Sequence, residues 1–271
     1  MKDLRGSTAV VTGASRGIGV HIARALAREG VNLSLAARSV DELEAVRAEM
    51  EGLGVRAIAT ECDVTDADDR SRLLARTEAE LGPVDVLVNN AGIEVVAHFE
   101  TSDEADLCRT LDVNLVAAML LTRAVVPGML TRGRGHVVHI ASGAGKVGVP
   151  YGVAYSTSKH GMVGMIHALR AEYHGRPVGF SAVCPGFVTD VGMYANWGVK
   201  APKIAGSATP EKVARVVVQC ITKDKAEVIV NTPPVRPIVV LHNIAPRLTP
   251  ALLKALGYSG VFAKVADRQG S

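Results

Sequence analysis

The stretch Thr12-Gly13-Ala14-Ser15-Arg16-Gly17-Ile18-Gly19 follows the apolar run Ala9-Val10-Val11 and precedes a segment of helix length, Ile22 to Glu29, closed by Gly30. A strand, a glycine-rich turn and a helix in that order carry a meaning that the glycines alone lack. Gly13 permits a tight turn, Gly17 lets the backbone approach a pyrophosphate, and Gly19 lets helix and strand pack closely, while the free N–H groups of the helix face the anion. The alternative is a loop that uses glycine only for its left-handed backbone.

Outward from this turn the same alternation continues. Apolar runs recur at Val31-Asn32-Leu33-Ser34-Leu35, Ala57-Ile58-Ala59, Val84-Asp85-Val86-Leu87-Val88, His136-Val137-Val138-His139-Ile140, Phe180-Ser181-Ala182-Val183 and Val228-Ile229-Val230, which with the first run gives seven strands. Helix-length segments separate them. Asp41 to Glu51 ends at Gly52 and Asp68 to Leu81 ends at Gly82, each glycine a C-terminal cap signal. Strands joined by helical crossovers pair in parallel with right-handed connections. The expected fold is α/β, a doubly wound (Rossmann) parallel seven-stranded sheet with helices on both faces, binding its ligand beyond the carboxyl ends of the strands.

The 271 residues, 48% hydrophobic and 21% charged, fit one globular domain and exclude a disordered or fibrous chain. Only 4% are aromatic, so the core is aliphatic. Thirty Lys and Arg against 27 Asp and Glu leave a net charge of +3, too little to indicate a nucleic-acid partner. Cys62, Cys108, Cys184 and Cys220 are widely separated and form neither a disulfide framework nor a zinc knuckle, which points to a reducing, cytoplasmic setting. The N-terminus has no cleavable-leader pattern, and no run approaches the ~18 apolar residues of a membrane span. Without a His, Cys or Asp cluster at ligand spacing, no catalytic metal is expected; His136 and His139, alternating among apolar neighbours, read as structural.

Six further features recur in order: Asp63-Val64 after the third strand, Asn89-Asn90-Ala91-Gly92 after the fourth, Asn114 in the next helix, Ser142 after the fifth, Tyr155-Ser156-Thr157-Ser158-Lys159 opening a helix, and Pro185-Gly186 with Thr189 after the sixth. With the G-x-x-x-G-x-G turn, this set resembles the short-chain dehydrogenase/reductase family from about residue 7 to about residue 231. The resemblance implies an oxidoreductase that interconverts a carbonyl and a secondary alcohol. It also implies cofactor contacts from Gly13, Ser15, Arg16, Gly17, Ile18, Gly19, Arg38, Asp63, Val64, Asn90, Ala91, Gly92, Tyr155, Lys159, Pro185, Gly186, Val188 and Thr189. Asp63 would accept from the adenine amino group, the alternative being an Asx turn, and Thr189 would meet the nicotinamide carboxamide.

Charge selects the cofactor. An NAD site places Asp or Glu at the end of the second strand, roughly 20 residues past the glycines, but here the chain reads Ala36-Ala37-Arg38. Arg38, with Arg16 in the glycine turn, is placed to clamp a 2′-phosphate, so NADP(H) is expected. The alternative is that both arginines are solvated surface residues.

Tyr155 and Lys159 stand at i and i+4, on one helical face. A phenol with an ordinary pKa near 10 needs a neighbouring positive charge to trade a proton near neutrality, and the Lys159 ammonium supplies one. Ser142 can share the substrate oxygen. The resemblance implies that Asn114 holds a water extending a proton relay from Lys159. Tyr151, with no Lys four residues on, reads as pocket lining. Two other readings stay open: a catalytically idle NADP(H)-binding sensor or scaffold on the same fold, and an epimerase or dehydratase using the same tetrad.

Residues 190–209 resemble the family's substrate lid, and Met193, Tyr194, Trp197 and Ile204 there, with Val95, Phe99, Val147, Val149 and Phe187, suggest a hydrophobic substrate. The catalytic domain is read as residues 1–231 and a C-terminal extension as 232–271. In that extension Leu248, Leu252, Leu253 and Leu256 recur at helical spacing beside Arg247 and Lys254. The expected role is a helix packed on its own domain or a sister subunit, with a substrate-pocket cover or peripheral membrane contact as the alternative. The resemblance also implies a homodimer or homotetramer through the helices carrying Asn114 and Tyr155.

Overall fold

A computed structural model describes residues 1–189, 191–192, 197, 206–233 and 235–269. Seven strands form one sheet: β1 (Thr8–Thr12), β2 (Asn32–Ala37), β3 (Ala57–Glu61), β4 (Val84–Asn89), β5 (Gly135–Ile140), β6 (Val178–Pro185) and β9 (Glu227–Val230). Their order is β3-β2-β1-β4-β5-β6-β9, with every pairing parallel. Two-residue strands β7 (Phe187–Val188) and β8 (Ser207–Ala208) pair separately. All seven runs expected from sequence are present, and they read as near-continuous apolar segments because both faces of a parallel sheet are covered.

Helices α1 (Ile18–Arg28), α2 (Val40–Glu51) and α7 (Pro210–Lys223) cover one face, while α3 (Ala67–Leu81), α5 (Ala117–Arg132) and α6 (Val153–Glu172) cover the other. Ile22 and Leu26 of α1 pack with Leu33, Leu35 and Val217 on the first face; Leu121 and Ile166 pack with Leu87, Val137 and Phe180 on the second. Helix starts follow their local chemistry. The Asp66 carboxylate accepts from Asp69 N, and Thr209 Oγ1 accepts from Lys212 N ahead of Pro210. Helix ends follow it less uniformly: Gly30 and Gly82 take positive φ (77° and 94°), but Gly52 stays helical (φ −61°) and Gly54 (φ 88°) makes the turn instead.

Helix α4 (Glu104–Leu111), a π turn (Asp112–Val116) and α5 form one continuous run, Glu104–Arg132, long and apolar enough by length and composition to cross a membrane. Here its side chains Leu121, Val125, Val126 and Met129 are buried in the core on the second face of the sheet.

After β9 the chain forms α8 (Arg236–Ile244), α9 (Thr249–Ala255) and α10 (Tyr258–Gln269). This extension packs on the sheet domain. Val239 and Leu253 are buried with Val147, and Phe262, Val265 and Ala266 with Val96. Of the four leucines expected on one buried stripe only Leu253 is buried, because the segment breaks at Pro246 and Pro250 into short helices and Leu248 is left 57% exposed.

Candidate active site

Because all seven strands run parallel, their carboxyl ends share one edge, and the sheet order reverses between β1 and β4. That switch point opens a crevice. Asn90 bridges its floor: its side-chain Nδ2 donates to the carbonyls of Thr12 and Gly13, each at 2.9 Å, while Asn90 N and Ala91 N both donate to Thr12 Oγ1 at 3.1 Å. Gly13 is at φ 63°, and a Cβ there would lie 2.8 Å from Ala91 Cα. A Cβ on Gly19 would collide with the Gly13 carbonyl. Helix α1 starts at Gly17 with no side-chain cap, so its first N–H groups face the crevice mouth unpaired by a side chain. These are the features of a cradle for a diphosphate, and the glycine turn fits one.

Around it stand the residues expected from sequence to select a nucleotide. Arg16 and Arg38 are exposed and form no hydrogen bond or ion pair with a described residue. Arg38 follows the last residue of β2 and lies close enough to Asp63 to act on its charge. Asp63 itself forms an Asx turn: Oδ1 accepts from Thr65 Oγ1 (2.7 Å) and Thr65 N (2.9 Å). Those bonds, then Arg38 and Arg109, hold its carboxyl below the usual range. The turn uses Oδ1 alone, and no described residue hydrogen-bonds Oδ2. Val64 is buried beside it. Thr189 N donates to the Ala208 carbonyl, so β8 holds the segment from Pro185 to Thr189.

The reacting side chains meet in one cavity at this edge, which Ser142, Tyr155 and Lys159 all line together with Ile18, Asn90 and Gly186. Ser142 follows β5, its Oγ accepts from Ala144 N at 3.1 Å, and it lies near enough to the Tyr155 hydroxyl to act on its pKa. Lys159, 2% exposed, donates to the Ile140 carbonyl at 2.9 Å and sits 5.6 Å from the Tyr155 ring centroid. Burial raises Tyr155 well above an ordinary phenol, nearby Glu94 raises it further, and Ser142 opposes both. Burial lowers Lys159 to about 8, with Glu94 opposing. The lowering of the phenol expected from the lysine does not occur in this cavity, where burial dominates.

Asn114 sits in the π turn, fully buried. Its Oδ1 accepts from Ile93 N (2.8 Å), and its Nδ2 donates to Ile93 O (2.9 Å) and Ser158 Oγ (3.0 Å). Both ends of the side chain bond protein, so the side chain clamps Ile93 to α6. Gly92 admits this contact: a Cβ there would sit 3.1 Å from Asn114 Oδ1 and 3.6 Å from Lys159 Nζ.

Glu94 is the residue the sequence reading missed. It lines the cavity, no described residue hydrogen-bonds its carboxyl, and burial raises it to about 8 against the pull of Lys159. A lone carboxyl within Gly92-Ile93-Glu94-Val95-Val96, just past a ligand-side strand end, was the available signal. His136 and His139 are structural, as expected: burial lowers both to about 3, His136 Nε2 pairs with Ser181 Oγ (2.7 Å), and His139 Nε2 with Thr122 Oγ1 (3.2 Å).

Among the expected apolar lining residues Val147, Val149, Phe187 and Trp197 do line the cavity. Val95 and Phe99 do not, and Phe99 is 60% exposed. Tyr151 is also displaced from it: at φ 63° it turns into a separate recess and packs edge-on to His98, ring centroids 5.1 Å apart. Met193, Tyr194 and Ile204, and most of the expected lid 190–209, lie outside the described residues. The extension supplies lining that the lid reading did not foresee: Val239, Leu253, Tyr258 and Phe262.

The short chain dehydrogenase family model matches residues 7–200. The chain is 43% identical over 235 residues to ketoacyl reductase HetN of Nostoc sp. strain PCC 7120, covering 87% of this chain and 82% of that one. Among solved structures, a variant of actinorhodin polyketide ketoreductase with NADPH superposes with a TM-score of 0.76 at 33% identity, over 83% of this chain and 95% of that one. A metagenomic short-chain oxidoreductase in complex with NADP gives 0.73 at 36% identity, over 84% and 97%. A seven-stranded parallel sheet, a glycine turn at its switch point and a Ser-Tyr-Lys cluster beside it agree with these likenesses, and the chain belongs to the short-chain dehydrogenase/reductase family.

Proposed function

We propose that this chain is an NADP(H)-dependent carbonyl reductase that interconverts a ketone and a secondary alcohol on a substrate with a hydrophobic body. The observation that carries the reading is one cavity lined by Ser142, Tyr155 and Lys159, with Ser142 near enough to the Tyr155 hydroxyl to act on its pKa. Two hydroxyls on one cavity wall can both bond a carbonyl oxygen brought there. Ser142 holds that oxygen as negative charge develops, and Tyr155, kept protonated by burial, gives it a proton. Lys159 re-protonates the phenolate side of the exchange and bonds the ribose hydroxyls of the cofactor. NADP(H), when bound, supplies or takes the hydride.

The exposed Arg16 and Arg38, with no acid at the end of β2, support the phosphorylated cofactor, as do the NADPH and NADP complexes of the two structural relatives. Val147, Val149, Phe187, Val239 and Phe262 around the cavity support an apolar substrate, and the ketoacyl and polyketide reductases among the relatives support an acyl-chain ketone. Assembly as a homodimer or homotetramer belongs to the same proposal. Val116 in the π turn, Met119 and Leu120 on α5 and Val153 on α6 are 36–46% exposed, an apolar surface on the two helices the family resemblance points to.

The test is oxidation of NADPH and NADH by the purified protein against hydrophobic and small polar ketones, with Tyr155→Phe alongside. Tyr155-dependent NADPH oxidation is the expected result. Turnover retained in Tyr155→Phe would overturn the assignment of the proton donor.

A further inference from the structure

Helix α8 is apolar on two sides. Its inner side places Ile238 and Val239 on the cavity wall with Leu253, Tyr258 and Phe262. Its outer side carries Val240 and Ile244, four residues apart on one helical face, and Leu248 follows in the next turn; they are 54%, 78% and 57% exposed. Ile244 is the most exposed large hydrophobic side chain among the described residues. A half-buried helix that only packs on its own domain turns a polar face outward; here Arg236 and Asn243 share the exposed side with Val240 and Ile244.

The charges around that face have one sign. Residues 232–271 hold five Lys and Arg against the single acid Asp267, a local net charge of +4 in a chain whose total is +3. Arg236, Arg247 and Lys254, in the same segment as the apolar stripe, are exposed, and none of them forms an ion pair with a described residue. Elsewhere the surface is laced with pairs such as Arg47 with Glu44 and Glu51, and Arg76 with Glu80. Exposed apolar side chains rimmed by unpaired cations complement an anionic lipid surface. A second copy of the same face would bring cations against cations.

We propose that the outer face of α8 and the following turn dock peripherally on an anionic lipid bilayer, with Val240, Ile244 and Leu248 entering the headgroup boundary and Arg236, Arg247 and Lys254 meeting lipid phosphates. The cavity then lies beneath the bilayer by about one helix diameter, ~10 Å, so an apolar ketone dissolved in the lipid reaches the site without crossing water. Docking stands independently of the reaction; delivery of such a ketone rests on the reading of the cavity given above.

The experiment is flotation of the purified full chain with vesicles of phosphatidylcholine alone and of phosphatidylcholine mixed with phosphatidylglycerol, at low and high salt. Two variants accompany it: Ile244→Asp, and the double variant Arg247→Glu with Lys254→Glu. All three side chains lie outside the reacting cluster, so each variant keeps its turnover of a water-soluble ketone, and that assay separates failure of docking from failure of the reductase reading. The chain is expected to float with the anionic vesicles only, to lose roughly tenfold or more of that binding on charge reversal, and to lose it with Ile244→Asp. Binding indifferent to lipid charge and to both variants, or no binding together with an Ile244→Asp change in oligomer size, would overturn the proposal, the latter assigning the face to a second copy.

Discussion

Lys159 Nζ donates to the Ile140 carbonyl at 2.9 Å, tying the first turns of α6 to the end of β5 two residues before Ser142. The bond joins the helix that carries Tyr155 to the strand end that Ser142 follows. Lys159→Met removes both the tie and the buried amine. Its turnover of ketone with NADPH is expected to fall by about a hundredfold or more, with secondary structure retained by circular dichroism. Unchanged turnover would show that the tie is dispensable.

Glu94 raises both Tyr155 and Lys159. Reduction needs Tyr155 protonated, so the alkaline limb of the reduction profile follows these two groups. With the carboxylate removed in Glu94→Gln, both release their protons more readily, and that limb moves to lower pH by on the order of one unit. Rate profiles of wild type and variant, with the same ketone, check the direction; a shift to higher pH contradicts the coupling.

Arg38 follows β2 where an NAD site would hold an acid. Arg38→Asp replaces a charge-assisted donor by a group that repels a 2′-phosphate and suits a ribose hydroxyl. Losing one such bond costs about 1.5–3 kcal/mol, or roughly 10- to 100-fold in NADPH affinity, and NADH binding improves. Titration of both cofactors measures the exchange, and equal losses for the two would place Arg38 outside the phosphate site.

His136 and His139 are held neutral by burial, each with its pKa lowered to about 3 from an unfolded value of 6.5. Between those values the unfolded chain binds more protons than the folded one. Stability is therefore intact above pH 6.5 and falls as the pH drops towards 3, by up to roughly 1.4 kcal/mol per pH unit for each histidine. His136→Gln should flatten that slope in urea unfolding at successive pH values, whatever it costs at neutral pH; an unaltered slope would assign acid sensitivity to other groups.

Periodicity and glycine placement made the sheet legible: seven apolar runs became its seven strands, and Gly13 and Gly19 stand where only a hydrogen fits. Tyr155 with Lys159 was legible because a helix puts i and i+4 on one face, and Arg38 because the register at the end of β2 is local. Tyr151 was misread because its left-handed backbone, φ 63°, turns the side chain out of the expected row. The hydrogen bonds of Asn114 were not legible, since they run to Ile93 and Ser158, 21 and 44 residues away.

The sequence by itself determined the local chemistry: which segments are strands, where the diphosphate cradle lies, which phenol has a lysine beside it, and which cofactor charge is matched. Tertiary structure alone decided the terms that depend on burial and on distant neighbours. It raised Tyr155 where a simple pairing would lower it, put Glu94 into the same cavity, and folded α8 to α10 over the site with an apolar stripe left outside. The physical reason is that hydrogen-bonding turns and helical spacing act over a few residues, whereas desolvation and cavity lining are summed over every element that packs against the site.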